Sequence, residues 1–137
     1  MSIIVTDTGF SPDDWTAGFA PLDCANPGPK GLDIPSDIDP LTLHNSILAA
    51  PALRIDFPTS HDGRGFTIAA QLRRMGYVGR LRARGNILAD QYAMARRSGF
   101  DEVEISDDLA ARQPEDQWLA RADWQAHDYQ SRLKRRG

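Results

Sequence analysis

Cysteine is almost missing from this chain: Cys24 is the only one in 137 residues. One thiol cannot form an internal disulfide, a Cys-x-x-Cys redox pair or a four-cysteine iron–sulfur site. Any electron chemistry therefore belongs to a partner or to a bound organic cofactor, and no residue pattern names that cofactor. In a reducing compartment Cys24 is expected to be a loop spectator, with a bridge between two copies as the alternative. Long apolar runs are also absent. The start, Met1-Ser2-Ile3-Ile4-Val5-Thr6-Asp7, lacks the basic region and apolar stretch of a signal peptide, and no later run has the length of a membrane span. The expectation is a cytoplasmic chain without a membrane partner. The three histidines, His44, His61 and His127, stand apart from any cluster of Cys, His and carboxylate, so no metal site is expected. Neither the Rossmann nor the Walker phosphate pattern occurs.

What is present is ordinary globular material. Hydrophobic residues make up 41% and charged residues 26%, which excludes a fibrous or wholly disordered chain. This length buries roughly two thirds of the unfolded surface, enough for a single domain without staples. The net charge of −3 conceals an uneven distribution, because residues 1–63, 64–97 and 98–137 carry −7, +7 and −3. The middle block holds eight arginines against Asp90 alone. Such a block is either a set of solvated helix faces or a focus for an anionic ligand. The overall acidity and the lack of a recognised motif speak against nucleic acid.

Periodicity predicts an α/β fold: a small parallel sheet of repeated βα units, as an open three-layer sheet or a partial barrel, closed by a C-terminal amphipathic helix. Residues 1–31 read as an irregular N-terminal segment. Within it Val5 to Phe10 suggests a strand, Ser11 to Trp15 a helix start, and the Pro- and Gly-rich stretch from Ala17 to Gly31 a linker. Leu32 to Ile34 suggests a short strand, and Leu41 to Ala50, ended by Pro51, a helix. A βαβαβ core follows over 53–106. Its strands are Leu53 to Phe57, Arg80 to Arg84 and Phe100 to Ile105; its helices are Gly65 to Met75 and Ile87 to Ser98, closed by Gly76 and Gly99. From 115 to 133, Trp118, Ala122, Ala126, Tyr129 and Leu133 share one helical face. That face packs on the domain, on a second copy in a homo-oligomer, or on a partner.

Parallel sheets bind ligands beyond the carboxyl ends of their strands, where helix N-termini point their free N–H groups. The first clear strand leads into His61, Asp62, Gly63, Arg64 and Gly65, the second ends around Arg82 and Arg84, and Asp90 and Gln91 open the helix after it. Arg64 offers a two-pronged contact to sulfate, phosphate or carboxylate, and the glycines let a ligand reach main-chain amides. His61 beside Asp62 is a candidate general acid or base. The alternative is a plain strand-to-helix turn with an acidic cap. These residues define no nucleophile triad, so no catalytic residue is assigned.

The stretch DFPTSHDGRGFTIAAQLRRMGYVGRLRARGNILADQYAMARRSGFDEVEI, Asp56 to Ile105, resembles the signature of the bacterial domain-of-unknown-function family 934. Its words are DFP, DGRG, a leucine and arginine helix, G-x-LRA-x-G, a DQ pair and R-x-GFD. The resemblance carries over Asp62, Gly63, Arg64, Gly65, Arg82, Gly85, Asp90, Gln91, Arg97, Gly99 and Phe100. Ser60 and His61 stand where members have an aromatic and a small residue, which sets His61 apart from the shared word. The resemblance implies an auxiliary role in assimilatory sulfite reduction, on the route from sulfate to cysteine, with sulfite reductase or phosphoadenylylsulfate reductase components as partners. The alternative is a small enzyme acting on an oxyanion or nucleotide.

Overall fold

Strict alternation in Ala52–Phe57 and Arg80–Gly85 gives the sheet two unlike faces, because successive side chains of a strand point to opposite sides. The computed structural model describes residues 2–24, 28–43 and 45–124. It contains strands β1 (Ser2–Thr6), β2 (Gly9–Pro12), β3 (Phe19–Pro21), β4 (Gly31–Ile34), β5 (Ala52–Phe57), β6 (Arg80–Gly85) and β7 (Glu102–Ser106). They form one sheet in the order β2-β1-β7-β6-β5-β4-β3. Strands β3 to β7 are parallel to one another, whereas β1 runs antiparallel to both β7 and β2.

Register turns the alternation into rows. Ile34, Ile55, Ala83, Val103 and Val5 lie side by side across five strands, all buried. The next row, on the other face, is Asp33, Arg54, Arg82 and Glu102. One face is therefore apolar and the other is a lattice of charge.

The helices are α1 (Arg64–Arg74), α2 (Tyr92–Ser98), α3 (Asp107–Arg112) and α4 (Glu115–Leu119). Each strand from β4 to β7 is added beside its predecessor, so right-handed crossovers put their connections on the same side of the sheet. Ile68, Ala69 and Leu72 of α1 share one buried core with Tyr92 and Ala95 of α2 and Trp118 of α4. Phe57 stacks against Phe66 at 4.9 Å and Phe100 at 5.8 Å, and Tyr92 meets the edge of Trp118 at 6.1 Å. β2 and β3 are the edge strands of the sheet, and at β2 the Phe10 amide donates to the Glu115 carboxylate at 2.7 Å.

The N-terminal segment departs from the expected irregular stretch. It forms the β1–β2 hairpin, turning at Asp7-Thr8-Gly9 with Gly9 at φ +113°, and then strand β3. No helix starts at Ser11: the Asp13 and Asp14 carboxylates are drawn to Arg82 and Arg80, and Asp13 closes only a local turn by accepting the Trp15 amide at 2.9 Å. The residues from Asp13 to Gly18 join β2 on one edge to β3 on the opposite edge. Six strand spacings in a flat sheet would cover about 29 Å, whereas the seven steps from Pro12 to Phe19 reach at most about 25 Å. The sheet curls toward this strap, and its charged face is the concave one.

Three helices are shorter than the periodicity suggested. The stretch from Leu41 to Ala50 is two 3-10 turns, Pro40–Thr42 and Asn45–Ala49, which still bury Leu43 and Ile47. Ahead of α2, Leu88 is extended and Ala89–Gln91 is a 3-10 turn, because the Gln91 side chain takes the Leu88 amide at 2.9 Å. Helix α4 stops at Leu119, where the amides of Arg121 and Ala122 bond carbonyls three residues back. Ala126, Tyr129 and Leu133 of the expected stripe, together with His44 and His127, lie outside the described residues.

Candidate functional site at the carboxyl rim of the sheet

The loop leaving β5 is built around Asp62. Its amide donates to the Thr59 carbonyl at 3.3 Å, and its Oδ1 accepts the Arg64 backbone N–H at 3.0 Å, which fixes the first turn of α1. The Arg64 guanidinium folds back onto the same carboxylate, Nη2 to Oδ2 at 2.7 Å and Nε to Oδ1 at 2.9 Å. The Arg64 hydrogen bond is the main reason that the Asp62 carboxyl is held down at about 2, and Ser36 of the loop after β4 adds to it. The fork expected to grip an external anion is thus occupied by its own neighbour, although the Arg64 side chain stays 59% exposed. His61 is exposed at the loop tip.

The glycines of this region have different reasons for being there. A Cβ on Gly65 would fall 2.4 Å from the Phe57 ring, so Gly65 allows α1 to sit down on β5. Gly85 has φ +119°, and its Cβ would meet the Phe57 carbonyl at 2.5 Å. Both belong to the fold. Gly63, at φ −87° with nothing within 4 Å of such a Cβ, is required neither by the backbone nor by packing.

Amide side chains lace the loops after β5, β6 and β7 into one rim. Asn86 Nδ2 donates to the Pro58 carbonyl at 2.8 Å, Gln91 Nε2 to the Ser60 carbonyl at 2.9 Å, and the Ala89 amide to Gln113 Oε1 at 2.5 Å. Gln91 is therefore a positioning residue for the loop containing Ser60 and His61. Asp90, one residue earlier, is exposed at the edge of this rim. Between the laced loops opens a cavity of about 430 Å³ whose lining includes Thr59, Ser60, Asn86, Arg112 and Gln113.

Arg82 lies elsewhere. It sits in the middle of β6 on the concave face, with its side chain 1% exposed. Its Nε donates to Glu102 at 2.5 Å, Nη1 to Glu104 at 2.7 Å and Nη2 to Asp13 of the strap at 2.9 Å. Burial works against its charge, yet the Asp13, Glu102 and Glu104 carboxylates outweigh it and raise the guanidinium pKa. Arg54 pairs with Asp33 at 2.6 Å beneath the Phe19 ring, and Arg80 pairs with Glu102 at 2.8 Å and with Asp14. Position along the strand explains the outcome: Arg82 stands short of the end of β6 and is closed over by Asp13 of the strap, whereas Gly63 follows the end of β5, so Gly63 and Arg82 share no mouth. The strand-end arginine that reaches the rim is Arg84, 51% exposed, only 3.3 Å from Glu104 and 3.7 Å from Asp56. It borders a second cavity of about 360 Å³ together with Ser2, Asp56, Asn86 and Ser106.

The other arginines of the positive block are also partnered within the fold. Arg73 donates to the carbonyls of Gly99, Tyr77 and Gly79, and Arg96 to Asp7 and the Phe100 carbonyl. Arg64, Arg73, Arg80, Arg82, Arg84 and Arg96 of the positive segment thus pair with carboxylates that come before and after it, while Arg74 bonds Gln71 and Arg97 the Trp124 carbonyl. Topology placed Asn86, just after β6, at this rim, but sequence reasoning missed Arg112 and Gln113. Those two stand at the end of α3, where no spacing in the sequence ties them to the rim.

A family model described as "Bacterial protein of unknown function (DUF934)" matches residues 31–136. The chain belongs to this family. The matched stretch begins at β4 and takes in every strand from β4 to β7, the rim and helices α1 to α4, while the hairpin, the strap and β3 precede it. No curated protein and no solved structure matches the chain. Of the family words noted in the sequence, DGRG supplies the α1 start and its closure on Phe57, the DQ pair supplies the Gln91 clasp, and the middle arginine of the LRA word supplies the buried ion-pair hub.

Proposed function

We propose that this protein is an auxiliary component of assimilatory sulfite reduction that works by binding, and that its binding surface is the carboxyl rim laced by Asn86, Gln91 and Gln113. The sulfite reduction part rests on family membership and on the role that the resemblance implies. The binding part rests on one observation: Asp62, Arg64 and Gln91 are bonded within the rim itself, so they shape a surface of loops and leave its open cavity to a ligand or a reductase component. A partner component of sulfite reductase or phosphoadenylylsulfate reductase fits this role, as does an anionic ligand. The protein is proposed to act in the cytoplasm, where those reductases draw on reducing cofactors.

The test is nutritional. A bacterial strain lacking this chain is expected to grow normally on sulfide or cysteine and poorly on sulfate or sulfite, and the parent chain restores growth. Growth on sulfite equal to that of the wild-type strain overturns the proposal. Replacing both Asn86 and Gln91 with alanine is expected to weaken complementation while the purified variant remains folded by circular dichroism.

A further inference from the structure

Arg112 stands apart from the other arginines near the sheet. Arg54, Arg64, Arg73, Arg80, Arg82 and Arg96 all hold carboxylates or carbonyls, but the Arg112 side chain has no hydrogen bond or ion pair among the described residues. It lies on the last turn of α3 and lines the rim cavity of about 430 Å³. No carboxylate lines that cavity, in contrast to the concave face, where acids outnumber the arginines. An arginine without a partner beside a cavity free of acids is an open cation.

The remaining donors point to the same chemistry. The Thr59 and Ser60 hydroxyls have no partner among the described residues, and Gln113 spends its Oε1 on the Ala89 amide, which leaves its Nε2 free to donate. Pro58, Leu88 and Leu109 supply the apolar part of the same lining. One fork, two hydroxyls and an amide together with apolar side chains suit a bidentate oxyanion carried on an apolar body. The volume falls within the range of about 300–1,000 Å³ usual for small-molecule sites. The position beyond β5 and β6 is where a parallel sheet receives its ligands.

We propose that this cavity binds a small oxyanion, a carboxylate or an inorganic sulfur oxyanion, through the Arg112 guanidinium with Thr59, Ser60 and Gln113 as supporting donors. The inference deepens the rim-binding reading by naming the chemistry of its ligand, and it shifts the anion contact from Arg64 to Arg112. Isothermal titration of the full chain with sodium benzoate, sulfate and sulfite at constant ionic strength tests it. The expected result is saturable binding of at least one probe, weakened at least tenfold in Arg112→Ala, partly kept in Arg112→Lys, and unchanged in Arg74→Ala, which removes the same charge from the far end of α1. Binding of benzoate identifies an organic ligand, and binding of sulfate or sulfite alone identifies an inorganic one. The inference is overturned if none of the probes binds, or if Arg112→Ala binds as the parent does. The nutritional test is independent of this titration: normal growth on sulfite with intact Arg112-dependent binding sinks the pathway and spares the pocket, and the converse result does the reverse.

Discussion

Arg82 and Arg84 lie two residues apart on one strand and one face, so exchanging each for alanine compares a buried ion-pair hub with an exposed pair on the same backbone. Arg82, with a side chain 1% exposed, holds three carboxylates; removing it leaves Glu102 and Glu104 buried with less compensation and frees Asp13 of the strap. Breaking a buried pair from one side costs about 3–5 kcal/mol. Arg84 is 51% exposed with contacts of 3.3 and 3.7 Å, and its loss costs at most about 1 kcal/mol. With a urea slope of about 2 kcal/mol/M for a domain of this size, the Arg82→Ala midpoint falls by on the order of 2 M and that of Arg84→Ala by less than about 0.5 M. Arg82→Lys lies between them, because an ammonium keeps the charge but cannot fork to Glu102, Glu104 and Asp13 together. Urea unfolding followed by far-ultraviolet circular dichroism gives the three midpoints. Equal midpoints for the two alanine variants would refute the assignment of Arg82 to the interior.

Gly65→Ala drives a methyl into the Phe57 ring and lowers stability by about 1–3 kcal/mol, whereas Gly63→Ala costs less than about 1 kcal/mol; thermal melts that rank them the other way contradict the packing described. Tyr92→Phe removes the hydroxyl that donates to Asp7 at 2.5 Å and costs about 1 kcal/mol, and Trp118→Ala empties a buried site at a cost of about 3–5 kcal/mol, both read by chemical denaturation. The strap responds to acid. Hydrogen bonds from Arg82 and Arg80 hold the Asp13 and Asp14 carboxyls below their ordinary value of 3.8, so the stability they lend is complete above that value and is lost as pH falls through the lowered folded values. The indole N–H resonance of Trp15, which donates to the Gly18 carbonyl at 2.7 Å, is expected to stay fixed from pH 8 to 5 and to move only below about pH 4. A shift near neutrality would assign the strap contacts to other groups.

The parallel core was legible because its strands alternate and its helices end in glycine. Arg80 to Gly85 and Arg64 to Arg74 appear nearly where their periodicity placed them. The N-terminal strands were harder to read, since Phe19–Pro21 is only three residues and is held by pairing to Gly31 and its neighbours, a partner that no local pattern reveals. Of the tail stripe, Trp118 packs on Tyr92 as its spacing suggested, but the helix that carries it ends at Leu119 rather than running on through the described residues. At the site, the turn with His61, Asp62, Gly63, Arg64 and Gly65 was found from topology, and it lies where parallel sheets put such turns. The role of Arg82 was not visible, because its carboxylates come from residues 13, 102 and 104, and sequence distance hides a charge partner as thoroughly as it hides a packing partner.

The strand order also dictates when the molecule can be finished. β4, β5, β6 and β7 can join one after another as synthesis proceeds, but β1 has its place beside β7, with Val5 opposite Val103. Until almost the whole chain has emerged, the first hairpin has no docking edge, and such late, distant pairing slows folding and leaves a strand margin open to a second nascent copy. Refolding of the full chain should therefore be slower than its modest size suggests, with closure of the hairpin onto β7 as the final event.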